Sequence, residues 1–281
     1  MKEINIADIT AIVEKLCLQA NCNLGDDVSS LIRQGLKQEE SETGRYILEQ
    51  ILLNAELAQK EQQPMCQDTG LTVVFVELGQ DVRIKGGSLY EAINEGVRRG
   101  YLQGYLRKSL VADPLFMRKN TGDNTPAVIH TEIVDGDSLR LLIVPKGAGS
   151  ENMGGLKMLP PSAGLEGVKE FVLNTVKNAG GNPCPPIIVG VGIGGNMEKA
   201  TILAKKALIR RAGAANPDQK YAELEQELLT EINKLGIGPQ GLGGRVTALA
   251  VHIEYFPTHI ASLPVAVNIN CHASRHAEAV L

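Results

Sequence analysis

The chain contains no tryptophan, and aromatic residues make up only 4% of its 281 positions. Its core must therefore be aliphatic. Basic charge is also scarce: 28 Lys and Arg against 32 Asp and Glu give a net charge of −4, with no excess to neutralise a phosphate backbone. That balance argues against a binder of the nucleic-acid backbone. Long apolar runs are missing too. VVFV at 73–76 and LLIV at 141–144 fall well short of the ~18 residues of a spanning helix. The opening MKEINIADIT lacks the basic-then-apolar layout of a secretory signal. These absences read as a soluble, cytoplasmic chain.

Several motifs are lacking as well. There is no C-x-x-C pair, no H-E-x-x-H, no G-x-S-x-G elbow and no G-x-x-x-x-G-K-[ST] phosphate loop. The five cysteines are odd in number and too few for a disulfide framework, so in a reducing compartment they are thiols or ligands. What is abundant is glycine, 30 residues, which points to many tight loops.

Residues 1–62 read as helical, with Ile9, Ile12, Val13, Leu16 and Ala20 at helical spacing, and form a candidate helical subdomain. A second helix starts near Asp26/Asp27, and a third runs from Thr43 to about Gln62 before Pro64. Strands are expected at 71–79, 127–134, 138–146, 185–190, 246–256 and 263–270. Asp135-Gly136-Asp137 reads as a hairpin turn between two of them. Helices are expected from Ser88 to about Arg107, from Ser162 or Gly164 to about Asn178, over 196–211 and over 218–234. The mixture of strand–helix–strand units and a hairpin indicates a mixed α/β fold of the α+β type. A helical N-terminal region precedes sheets flanked by helices, in a single domain over 1–281.

Three cysteines sit on loops at element ends: Cys66 in Pro-Met-Cys-Gln-Asp-Thr-Gly, Cys184 in Asn-Pro-Cys-Pro-Pro, and Cys271 in Asn-Ile-Asn-Cys-His. Cys17 and Cys22 sit in or just after a helix and read as inert, buried thiols. Loop thiolates are the usual ligands of iron–sulfur clusters, but spacing alone leaves three unrelated thiols as the simpler account. Gly190-Val-Gly192-Ile-Gly194-Gly195 satisfies G-x-G-x-x-G between a strand and a helix. It keeps an NAD(P)-binding oxidoreductase open as a distant alternative, although the expected acidic residue ~20 positions later is missing.

The segments PMCQDTG (64–70), RKNTGDNTPAVIH (118–130), PKGAGSENMGGLKML (145–159), NPCPPIIVGVGIGG (182–195), GIGPQGLGG (236–244) and LPVAVNINCHASRHA (263–277), taken in order, resemble the iron–sulfur class I fumarase and L-tartrate dehydratase family. The resemblance is to the family's N-terminal catalytic half, and it spans the chain from about residue 45 to the end. It implies that Cys66, Cys184 and Cys271 ligate one [4Fe–4S] cluster around which the sheets are built. It also implies a catalytic acid/base role for Asp68 and substrate contacts from Gln67, Asp68, Arg107 and Gly149, with His259 behind them. An arginine suits a carboxylate because its fork binds in two places. Nothing here corresponds to the family's second domain, so the resemblance implies an α subunit that works with a separate β subunit, in an α2β2 assembly. The implied reaction is (S)-malate to fumarate and water, with L(+)-tartrate dehydration as the alternative.

Overall fold

The computed structural model describes residues Met1–Leu281. In chain order its elements are β1 (Lys2–Asn5), α1 (Ile6–Cys22), α2 (Asp26–Gln38), α3 (Glu42–Glu61), β2 (Leu71–Gly79), β3 (Val82–Lys85), α4 (Leu89–Gln103), β4 (Val128–Val134), β5 (Leu139–Lys146), α5 (Ala148–Glu151), β6 (Gly155–Leu159), α6 (Gly164–Ala179), β7 (Ile187–Gly194), α7 (Met197–Ala207), α8 (Gln219–Asn233), β8 (Ala248–Phe256), β9 (Leu263–Asn270) and β10 (Ala277–Val280). The fold is mixed α/β, as expected. No helix is long and apolar enough to cross a membrane.

The chain divides into two compact units. The first comprises Met1–Leu24, Ala55–Ala148 and Arg275–Leu281, and the second Gly25–Asn54 and Gly149–Ser274. The N-terminal helical stretch is shared between them: α1 belongs to the first, α2 to the second, and α3 passes from one to the other. Apolar stripes explain the split. In α1, Ile9, Val13, Leu16 and Ala20 are buried in the core of the first unit. In α2, Gly35 lies against Val246 of the second.

In the first unit a four-stranded sheet has the order β10-β5-β2-β4. Strand β2 runs parallel to β4 (Val73 opposite Val128) and antiparallel to β5 (Leu71 opposite Lys146). Val74, Val76, Leu139, Leu141 and Ile143 meet Ile93, Val97 and Tyr101 of α4 in an aliphatic core. The expected hairpin between the strands at 128–134 and 139–146 does not form, because β2 lies between them. The run VVFV in β2 is buried throughout, so its backbone groups need a ladder on both edges. The Asp135–Asp137 turn instead accepts the β2–β3 connection: Gln80 N donates to Val134 O at 2.9 Å and Asp81 N to Gly136 O at 3.0 Å. Helix α4 is capped by Ser88 as expected, but it stops at Gln103. Gly104 closes it, Tyr105 takes a positive φ of 52°, and Arg107 falls outside the helix.

In the second unit the sheet order is β6-β9-β7-β8, with β9 antiparallel to both its neighbours and β8 parallel to β7. Val172, Val176, Leu228 and Ile232 of α6 and α8 cover one face, packed on Val189, Val191, Ile253 and Val267. Helix α7 lies against β7, and here the glycines of the G-x-G-x-x-G run find their use. Strand β7 extends to Gly194, so Gly190 and Gly192 lie inside the sheet rather than in a phosphate-binding turn. A Cβ at Gly190 would sit 2.2 Å from Ala204 O, and one at Gly192 2.0 Å from Ala200 O. The two glycines let the helix backbone approach the strand, which is a packing role.

Candidate functional site

Strand direction places the motif segments. In the first unit, β2 and β4 start, and β5 ends, at the same end of the sheet. The loops 64–70 and 118–126 therefore emerge together, beside Gly147 and beside Arg275, which precedes β10. Cys66 and Asp68 are half-buried and Gln67 is exposed on the first loop.

That loop is held by its own carbonyl groups. Asp68 O accepts from Arg275 Nη2 at 2.6 Å, and Thr69 O and Gly70 O accept from Tyr101 Oη at 2.7 and 3.1 Å. The Asp68 carboxylate caps the turn, as its position before Thr-Gly allows: Oδ1 accepts from Gly70 N at 3.0 Å and Oδ2 from Ala148 N at 2.8 Å. Each oxygen keeps one further acceptor position. Arg107 is exposed, and its carbonyl accepts from Thr69 Oγ1 at 3.1 Å. The first unit thus brings Cys66, Gln67, Asp68 and Arg107 to one end of one sheet.

The second unit repeats the arrangement. Ile188 lies opposite Asn270 across β7 and β9. Cys184, just before β7, and Cys271, just after β9, therefore leave the sheet at the same end. The loop at 236–244 before β8 and the loop at 152–154 before β6 join them there, because β8 is parallel to β7 and β6 antiparallel to β9. Cys184 takes a positive φ of 55°. Its carbonyl accepts from His272 N at 3.3 Å and lies 3.0 Å from His272 Nδ1. Gln240 Nε2 reaches both Pro185 O, at 3.0 Å, and His272 Nδ1, at 3.1 Å. Gly149 is exposed in α5, and a Cβ there would meet Asn182 O at 3.6 Å, two residues before Cys184. His259 stands apart. Its exposed loop joins the far end of β8 to the start of β9, at the opposite end of the sheet from Cys184 and Cys271.

Sequence reasoning missed Tyr101, Arg275, Gln240 and His272 as supports of these loops. The last three lie within segments that carried the resemblance, but which partner each holds depends on contacts between distant parts of the chain.

No three His, Cys, Asp or Glu side chains converge within either unit. The donor chemistry nevertheless separates the thiols. Cys17 and Cys22 are buried, and burial pushes the Cys17 thiol up to about 12, which opposes the thiolate a metal needs. Cys184 is exposed and Cys66 and Cys271 are half-buried. The three loop thiols fit an iron–sulfur ligand set, and the two helical ones do not.

A profile of the family described as fumarate hydratase (Fumerase) matches residues 10–280. The chain belongs to this family. Among its relatives is a protein named "Putative L(+)-tartrate dehydratase subunit alpha" from Methanocaldococcus jannaschii, 44% identical over 275 residues, with 96% of each chain covered. The L(+)-tartrate dehydratase subunit alpha of Escherichia coli O157:H7 is 35% identical over 276 residues, covering 98% of this chain and 91% of the relative. The protein of that name from Shigella boydii serotype 4 matches to the same extent. Membership of the fumarate hydratase family accounts for the six ordered segments.

Proposed function

We propose that this chain is the α-type subunit of a cytoplasmic, two-subunit hydro-lyase that removes water from a 2-hydroxy dicarboxylate, with L(+)-tartrate as its substrate. The observation that carries this reading is the near full-length match to relatives named as tartrate dehydratase α subunits. These relatives favour L(+)-tartrate over the (S)-malate and fumarate that the motif resemblance puts first. The family description keeps malate as the second substrate to test.

In this reading Cys66, Cys184 and Cys271 hold a [4Fe–4S] cluster. When bound, a cluster with three protein thiolates supplies a Lewis-acidic iron for a substrate hydroxyl. The chain's own residues bind and orient. Arg107, on an exposed segment anchored through Thr69, offers two parallel donors to a substrate carboxylate. Gln67 is exposed on the 64–70 loop, and Gly149 offers a backbone contact. Asp68 is the candidate to hold the proton exchanged with the carbon next to the carboxylate. Two backbone N–H groups fix its direction and leave an acceptor position on each oxygen. His259 is assigned no part in this site.

One arginine is a weak hold on a dianion, so the isolated chain should carry a cluster yet turn over little substrate until a β-type subunit adds its contacts. An α2β2 assembly follows the usual twofold preference of oligomers. The test is iron and acid-labile sulfide per chain after anaerobic reconstitution. About four of each are expected, lost in Cys66→Ser, Cys184→Ser and Cys271→Ser but kept in Cys17→Ser. Dehydration of L(+)-tartrate and (S)-malate is then measured with the partner chain present. Faster turnover of malate would restore the fumarase reading. A folded chain that takes up no iron would end the hydro-lyase reading.

A further inference from the structure

Asn124 is fully buried and takes a positive φ of 61°, a conformation that asparagine tolerates better than most residues. Both ends of its amide are used across the first unit. Nδ2 donates to Gly70 O at 3.1 Å, at the end of the loop that carries Gln67 and Asp68. Oδ1 accepts from Ser109 N at 2.8 Å, two residues beyond Arg107. A carbonyl on one side and an N–H on the other fix which way the amide points. One small side chain therefore ties together the two segments that supply the proposed acid/base and the proposed carboxylate ligand.

A second tie runs parallel to it, since Thr69 Oγ1 donates to Arg107 O at 3.1 Å. The rest of the Asn124 loop holds the same segment: Asn120 Nδ2 donates to Lys108 O at 2.8 Å, and Ala112 N to Lys119 O, also at 2.8 Å. Tyr101 Oη, buried beneath, donates only to carbonyls of the 64–70 loop, Thr69 O and Gly70 O. The Tyr101 hydroxyl thus anchors one side, whereas the Asn124 side chain bridges both.

We propose that Asn124, backed by Thr69, is a positioning residue that sets the distance between Asp68 and Arg107 and hence the fit of a dicarboxylate. The kinetic consequence rests on the hydro-lyase reading; the mechanical one does not. The decisive variant is Asn124→Gly, which keeps the positive φ and removes both hydrogen bonds. Hydrogen exchange, read by mass spectrometry over 66–72 and 105–112, should accelerate in both segments by about tenfold or more. In the reconstituted complex, KM for the turned-over diacid should rise about tenfold while kcat changes less than about threefold, because the reacting groups survive and only their spacing is lost.

Acceleration in only one segment, or in neither, would overturn the bridge. Acceleration in both with an unchanged KM would overturn its role in substrate fit. If Asn124→Gly does not fold, Thr69→Val and Thr69→Ser decide: the valine should reproduce the coupled acceleration and the serine, which keeps the hydroxyl, should restore wild-type exchange. Failure of serine to restore it would refute the proposal. An enzyme that turns over no diacid would instead remove the hydro-lyase reading and leave the exchange result standing.

Discussion

Gly192→Ala is the substitution whose cost follows most directly from the structure. A Cβ at this position would lie 2.0 Å from Ala200 O, 2.5 Å from Ala204 N and 2.9 Å from Leu203 Cβ. The nearest two obstacles are helix backbone, which no rotamer change can move. To reach even a tight 3.0 Å contact with Ala200 O, α7 and β7 must separate by about 1 Å. Strand β7 cannot yield, since it is hydrogen-bonded to β8 on one side and β9 on the other. Helix α7 must therefore back away, loosening Ala200, Ala204 and Ala207, all completely buried. A gap of that size forfeits about a quarter to a half of each dispersion contact. Overpacking usually costs about 1–3 kcal/mol, and a backbone-on-backbone clash belongs at the top of that range. At about 2–4 °C per kcal/mol for a chain of this size, Tm should fall by roughly 6–12 °C. Differential scanning calorimetry of wild type, Gly192→Ala and Gly149→Ala is the assay. Gly149→Ala is the control, because its Cβ would make only an ordinary contact at 3.6 Å. A Gly192→Ala protein within about 2 °C of wild type would refute the close-packing argument.

Three further outcomes are expected. His252 is buried, its Nδ1 lies 3.1 Å from Ala207 O, and its Nε2 has no hydrogen-bond partner. Burial, assisted by the Arg210 charge, pushes its pKa below the ordinary value of 6.5. The unfolded chain therefore takes up a proton that the folded chain refuses, and stability should fall as pH drops below about 6.5. Urea unfolding at pH 7 and pH 5 should show that loss in wild type and a smaller one in His252→Asn. Glu39 is buried, and against the cost of burial the N–H groups of Arg245, Ser41, Val246 and Glu40 hold its carboxyl below the usual range. That contribution is present above the unfolded value of about 4.3 and is lost as pH falls through the lower folded value. Glu39→Ala should cost about 3 kcal/mol at pH 7 by chemical denaturation, because it orphans several backbone donors at once. Tyr101→Phe removes the hydroxyl that holds Thr69 O and Gly70 O, and should destabilise by about 1–2 kcal/mol in the same assay.

The sequence by itself determined the longer elements and the chemistry on the loops. Helical periodicity located α1, α3, α6 and α8, and β-branched runs located β2, β5 and β9, because both patterns are local. Six ordered segments identified the family. The strands β1, β3, β6 and β10, each four or five residues long, were not legible. They exist because a neighbouring strand pairs with them, and a run that short has no period to detect. Strand order was decided only in three dimensions: Asp135–Asp137 is good turn chemistry, yet β2 separates the strands it joins. Gly190 and Gly192 match a nucleotide-binding turn in sequence, but in the fold they let α7 approach β7. The same holds for the site. Its loops are recognisable in sequence, but their meeting at one end of each sheet follows from which strands run parallel. The duties of Tyr101, Asn124 and Gln240 follow from hydrogen bonds across 15 to 55 residues of chain. Propensity and motif are properties of neighbours in sequence, whereas register, close approach and hydrogen-bond satisfaction belong to neighbours in space.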